Sequence, residues 1–378
     1  MADDTDRCSI SLQSFSSVLV LTPKTSIHGD QSTDEFELIA HSDIEVDDDQ
    51  GEEGYDGESN STSSASVSLS IYAHEFEHCR RYHSYKSGRY PLPNDSLEQR
   101  REETLHYLML EMSEGHVYLS ETGDWPQKIL DIGTGVGSWA IDVADLYPGA
   151  SVVGTDLSPI QPNWLPPNLR MFVEDCEGEW LHGSKYDLIH MREVIGTIRD
   201  VPNMLEKIHS NLAPGGWVEF QDIEPSIFYN EEATKPKDDP LSHFFHIATR
   251  GMQEYGLTSY PVLPSTLPPL LSQTGFTNIK VVTKKIPISP WARDPNLVAP
   301  GVLAKEWVGE TIDAMMAKPL EAFGCDLKTR KAMATSAKQS LELDGVNRYL
   351  KVNFVLAQRE IQAPVVMSDS ESYMSLGP

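Results

Sequence analysis

The 378-residue chain is expected to fold as an α/β protein built on a doubly wound, Rossmann-like sheet with helices on both faces. Three observations predict this. Residues 128–140 (KILDIGTGVGSWA) read as a short apolar strand, a glycine turn and the opening of a helix that stops at Tyr147-Pro148-Gly149. Apolar runs follow at 151–156, 169–173, 186–192 and 212–221, each the length of a buried strand. Helical periodicity separates several of them, as in Asn203–His209, which favours parallel strands joined by crossovers.

Each strand end carries a candidate ligand-binding group. The glycine spacing is G-x-G-x-G (Gly133, Gly135, Gly137), preceded by Asp131. A pyrophosphate prefers bare N–H groups without a carboxylate beside them. S-adenosylmethionine has no phosphate and carries an ammonium, so Asp131 favours it over a nicotinamide. The second strand ends in Asp156, placed to grip two ribose hydroxyls. The third ends in Glu174-Asp175-Cys176, where Asp175 suits an exocyclic adenine amine. The fourth ends in His190-Met191-Arg192, expected to border the transferred methyl group.

These pieces, in this order, resemble a class I S-adenosylmethionine-dependent methyltransferase with a seven-stranded sheet. More narrowly, the chain resembles the fungal LaeA-like family. The matching segments are 82–90 (YHSYKSGRY), 92–95 (LPND) with Glu98-Gln99, 154–162 (GTDLSPIQP) and 214–219 (PGGWVE), spread over roughly 80–360. Family members often have Trp-Pro after the fourth strand; here the pair is Val201-Pro202. The resemblance implies S-adenosylmethionine as cofactor, held by Asp131, Gly133, Thr134, Gly135, Gly137, Asp156, Leu157, Asp175, Cys176 and Met191. It also implies that segment 82–90 covers the pocket, with Tyr85 and Arg89 near it. Some members are nuclear regulators of secondary metabolism and development, so regulatory protein partners are expected beside a methyl acceptor.

The catalytic candidates are His190, whose ordinary pKa near neutrality suits a base, with Arg192 and Tyr85 to hold an acidic or phenolic acceptor. Methyl transfer itself depends chiefly on alignment and on exclusion of water. Nothing in the sequence names the acceptor.

The flanking regions divide the chain further. Residues 1–70 hold sixteen acidic residues against Arg7 and Lys24, −14 of the total −27. Rich in serine and poor in apolar residues, this tail is expected to be disordered, with Phe36, Leu38 and Ile39 as a candidate docking motif. Residues 71–120 form an expected helical lid followed by a helix. That helix opens at the capping box Asp95–Glu98, carries the apolar stripe Leu105, Leu108, Met109 and Met112, and ends near Gly115. His74, His78 and His83 invite a metal, but no acidic third ligand stands out, and none is expected. The methyltransferase domain is placed at 121–360, with insertions at 222–270 and 285–348 and a disordered tail at 361–378. Within it, 161–168 is left irregular by its prolines, helices are expected over 241–255, 299–317 and 327–343, and strands over 277–283 and 349–356. The acceptor pocket should lie between segment 82–90, the insertions and the cofactor.

The net charge argues against direct binding to nucleic acid or an anionic membrane. Four scattered cysteines (Cys8, Cys79, Cys176, Cys325) without a C-x-x-C pair imply reduced thiols. With no signal sequence and no membrane-length apolar run, the expected location is intracellular, cytoplasmic and/or nuclear.

Overall fold

A computed structural model describes residues 73–230, 236–257 and 266–361. The tail at 1–70, its docking motif and most of the tail at 361–378 lie outside the described residues.

The first element corrects an expectation. Segment 71–95 was expected to be helical; instead β1 (His74–Glu77) and β2 (Arg80–His83) form an antiparallel hairpin. His78 and Cys79 both adopt positive φ, at 53° and 59°, the backbone of a two-residue type I′ turn. Glu77 opposes Arg80 and Phe76 opposes Arg81 across the strands. Cys79 is disulfide-bonded, so reduced thiols are found only at Cys176 and Cys325 among the described residues. The helix α1 (Ser96–Met112) begins as its cap predicts, with the Asp95 carboxylate accepting from the Glu98 N–H at 3.1 Å. The Glu98 side chain does not close the capping box; it holds Arg101. Gly115, at φ 83°, ends the helix by donating to Leu110.

The glycine region is β3 (Lys128–Ile132) followed by α2 (Ser138–Leu146). Then come β4 (Ser151–Asp156), β5 (Leu169–Val173), β6 (Tyr186–Arg192), α3 (Val201–Asn211) and β7 (Leu212–Ile223). Segment 161–168 has no helix. The sheet order is β5-β4-β3-β6-β7, all parallel, and antiparallel β10 (Arg348–Arg359) follows β7. Two more strands join β10, the long β9 (Phe276–Pro287) and the two-residue β8 (Phe228–Tyr229). The sheet therefore has eight strands rather than seven, because the chain leaving β7 pairs briefly with the start of β10.

Both faces are covered. Leu105, Leu108 and Met109 of α1 and Trp139 and Val143 of α2 pack on one face. Met204, Leu205 and Ile208 of α3 pack on the other, joined by Leu267 and Leu271 of α5 (Leu267–Thr274). The insertions carry α4 (Pro240–Glu254), α6 (Val298–Met315), α7 (Lys318–Ala322) and α8 (Leu327–Leu341). Neither α5 nor α7 was expected; both start on proline-containing turns that read as loop in sequence. No helix among the described residues is long and apolar enough to cross a membrane.

One buried ion pair fastens the first insertion to the sheet. Arg348 at the start of β10 donates to both oxygens of Asp239, the N-cap of α4, at 2.8 and 3.1 Å. Ser340 and Tyr229 donate to the same carboxylate at 2.5 and 2.6 Å. Burial pushes the Asp239 pKa up, but these hydrogen bonds outweigh it and hold the group below the ordinary carboxylate range. Asp239→Ala leaves the Arg348 charge buried without its partner and is expected to cost about 3–5 kcal/mol in chemical denaturation. In the wild type this contribution is present at neutral pH and fades as pH falls through the folded-state pKa of Asp239. A loss below about 1 kcal/mol in Asp239→Ala would show that α4 is held by its apolar face alone.

Candidate functional site

The sheet reverses direction at β3, between β4 and β6, so a crevice opens above the carboxyl ends of β3 and β4. Strand register sets its contents: Asp131 pairs with Gly154 on one side and His190 on the other. The Asp131 carboxylate is buried, accepting from Thr134 Oγ1 and His190 Nδ1, each at 2.7 Å. Gly133, Gly135 and Gly137 have φ of 71°, 56° and 88°, which side chains rarely adopt. A Cβ on Gly133 would meet Val194 Cγ2 at 2.1 Å, and one on Gly135 would meet Glu102 Oε2 at 2.4 Å.

Most of the expected cofactor residues line the cavity here: Asp131, Gly133, Thr134, Gly135, Asp156, Leu157, Asp175 and Cys176. Asp156 accepts from Gly135 N at 2.9 Å and Ser158 N at 2.8 Å, while burial raises its pKa. Asp175 ion-pairs with Lys86 at 2.9 Å and lies 3.7 Å from Arg89. Burial pushes its pKa up, yet the Lys86 hydrogen bond helps bring the group below its usual range. Arg89 also donates to Glu177 and to the Thr197 carbonyl, so segment 82–90 is pinned over the crevice as expected. Burial raises the Cys176 thiol to about 12, leaving it protonated and unreactive at neutral pH.

Other expected residues fall elsewhere. Gly137 caps α2 and is not among the lining residues. Met191 is buried with Leu130 and Ile132 on the opposite face, because side chains alternate along β6. Tyr85 lines neither this cavity nor the next; Tyr90 lines both. Arg192 borders the cavity with both Nε and Nη2 donating to Gln221 Oε1, at 3.0 and 2.9 Å, and burial lowers its pKa to about 10.

His190 was expected to offer a base to the crevice. It forms part of the inner wall but has no accessible surface, stacked on Trp139 with ring centroids 3.7 Å apart. Its Nδ1 is engaged by Asp131, so the ring can steer that carboxylate, while Nε2 is buried without a hydrogen-bond partner among the described residues. The ring is thus withdrawn from the cavity surface, unlike the open strand-end base expected from the sequence.

Three groups were missed. Glu102 accepts from Val136 N at 3.1 Å, and burial with neighbouring acids raises its pKa to about 8. Arg101 is fixed by Glu98 at 2.6 and 2.9 Å. Glu193, just past β6, has φ 57° and its Oε1 accepts from Ile223 N at 2.5 Å. A signal for the first two lay in the stripe of α1. Extended towards the N-terminus, the Leu105–Met112 stripe lands on Glu98, Arg101 and Glu102, so charged groups occupy a buried face.

A second, smaller cavity adjoins the first and shares Tyr90, Arg101, Glu193 and Thr197 with it. Its remaining wall is largely apolar, with Phe245 and Met252 of α4 and Trp307 and Met315 of α6. These come from the segments where the acceptor pocket was expected.

The donor set fits S-adenosylmethionine. Carboxylates (Glu102, Asp131, Asp156, Glu174, Asp175) outnumber the guanidiniums around a glycine cradle that a Cβ would fill. Such a site suits a cofactor bearing an ammonium and a sulfonium rather than phosphates.

Comparison with known proteins agrees. Residues 104–281 match a methyltransferase domain family. Methyltransferase pytC of Aspergillus terreus is 34% identical over 300 residues, 79% of this chain and 92% of that protein. The secondary metabolism regulator LAE1 of Cochliobolus heterostrophus is 33% identical over 65% of this chain and 80% of its own length. The protein-methionine methyltransferase laeA of Emericella nidulans is 33% identical over 58% of each chain. The chain belongs to the fungal LaeA-like family of class I S-adenosylmethionine-dependent methyltransferases.

Proposed function

We propose that this methyltransferase acts on a small molecule seated in the second cavity. The observation that carries the reading is the chamber itself: its apolar walls are built by the insertions and it joins the cofactor crevice through four shared residues. A buried apolar chamber gains affinity from desolvation and suits a compact acceptor better than a side chain of a folded protein.

In this reading Asp131 binds the ammonium end of the cofactor, Asp156 the ribose hydroxyls and Asp175 the adenine amine, with Lys86 and Arg89 closing the edge. The cofactor supplies an electrophilic methyl carbon. The chain contributes alignment, through the glycine turn and the fixed carboxylates, and exclusion of water, through segment 82–90. His190 is a positioning residue that holds the Asp131 carboxylate in its binding orientation.

The names of the relatives favour a second reading. LAE1 is named a regulator of secondary metabolism and laeA a protein-methionine methyltransferase, which supports action through, or upon, protein partners. Labelled cofactor incubated with the protein and a cell extract separates the two. Label recovered in a small-molecule product supports the first reading, and label confined to polypeptide supports the second.

Two measurements test the residue roles. Asp156→Ala is expected to weaken S-adenosylhomocysteine in calorimetry by about 1–3 kcal/mol, since buried hydroxyls lose their acceptor. An unchanged affinity would remove Asp156 from the site. His190→Ala is expected to lower affinity for the same ligand, whereas an acceptor base would leave it intact and depress only transfer. Retained affinity together with lost transfer would restore His190 as the base.

A further inference from the structure

The wall between the two cavities carries a group that none of the roles above uses. Glu193 follows β6, where the transferred methyl is expected, and it borders both cavities. Its left-handed backbone, φ 57°, turns the chain away from β6, and Ile223 N holds one oxygen. Oε2 is the oxygen that Ile223 does not hold. Next to it stands Asp222; desolvation raises both carboxyls, Glu193 to about 7 against the pull of Arg101 and Arg192, and the Glu193 charge raises Asp222 further. At neutral pH Glu193 is therefore divided between carboxylate and acid, the condition for taking a proton and returning it to solvent.

Two further features say what Glu193 faces. The Arg101 guanidinium borders the same junction, kept cationic by Glu98 and neighbouring acidic groups although burial opposes it. Beside it, with the Arg101 guanidinium 5.8 Å from its ring centroid, the Trp307 indole N–H is buried and has no hydrogen-bond partner among the described residues. An unmet donor in an apolar chamber is costly unless something in the chamber accepts from it. Arg101 is paired with Glu98 and shares the chamber lining with Glu193 and Glu224, so fixed charges of both signs leave no strong attraction for a full ion, whereas an anion developing on oxygen beside the guanidinium would be stabilised by it. A carboxylic acid would place its charge beside Glu193.

We infer that the second cavity receives a neutral, largely aromatic molecule through a phenolic hydroxyl, with Glu193 as the catalytic base and Trp307 donating to an oxygen of the same molecule. The acceptor O–H bond breaks and its proton passes to Glu193 Oε2. The oxygen forms a bond to the methyl carbon, and the electron pair of the carbon–sulfur bond returns to sulfur. The products are the methyl ether, S-adenosylhomocysteine and one proton, later lost from Glu193. Near Arg101 the phenolate charge that forms is offset without a metal ligand from this wall.

This inference rests on the small-molecule reading of the chamber, and the test separates the two. Full-length protein saturated with S-adenosylhomocysteine is titrated in a calorimeter with 2-naphthol, 2-naphthoate and 2-naphthylmethylammonium as probes. The naphthol is expected to bind at least tenfold more tightly than either ion. Met252→Trp, which fills the chamber, should abolish naphthol binding while S-adenosylhomocysteine affinity stays within twofold. If all three probes fail to bind the saturated protein, the small-molecule reading falls. If the naphthoate or the ammonium binds best, the chamber stands and the phenol assignment is overturned.

The base is read separately, in single-turnover transfer to 2-naphthol from labelled S-adenosylmethionine. Transfer should rise with pH through about 7, as Glu193 ionises. Glu193→Gln, which keeps size and the Ile223 hydrogen bond, should lower the rate at least a hundredfold and flatten that rise, with naphthol affinity changed less than fivefold. Equal rates in wild type and Glu193→Gln, including no transfer by either, overturn Glu193 as the base.

Discussion

Everything in the crevice hangs on one buried carboxylate. Asp131 sits on the central strand almost wholly withdrawn from solvent, and its charge is met by protein donors. Thr134 meets one oxygen and thereby folds the glycine turn back over the strand; His190 meets the other from the neighbouring strand. The histidine is in turn clamped by Trp139, the second residue of α2. Turn, helix and two strands are thus tied to a single ionised group. Its orientation is fixed before any ligand arrives, which is the form of pre-organisation that reduces the entropic cost of binding.

The crevice and the chamber beyond it are built by different parts of the chain, and this explains how one architecture combines a constant cofactor with a variable acceptor. Short loops at strand ends make the first; long insertions between β7 and β10 make the second. The insertions are not free appendages. Asp239, Arg348, Ser340 and Tyr229 form a closed polar knot that joins α4, α8 and the sheet, so the walls of the chamber are as firmly placed as the strands.

The parts legible in the sequence were those governed by local rules. Strand length, glycine spacing and acidic strand ends gave the order of the parallel strands and eight of the ten expected cofactor positions as cavity lining. What failed depended on context. The hairpin at 74–83 lacks the Asn-Gly or Asp-Gly pair that announces a type I′ turn, so its histidines read as helix. Met191 was placed beside the ligand because strand alternation was not followed through from His190, which already occupied the cofactor side. Glu193 is invisible to any local pattern; it matters only because α4 and α6, far along the chain, enclose the space beside it.

The two cations beside Asp175 differ in their exposure, with a consequence for how this edge of the crevice responds to its medium. The Lys86 side chain is 46% exposed, that of Arg89 only 8%. Mobile ions in solution reach the first and are excluded from the second. Rising ionic strength therefore loosens the lysine tether on Asp175 while the arginine stays anchored, and this end of the crevice slackens without coming undone.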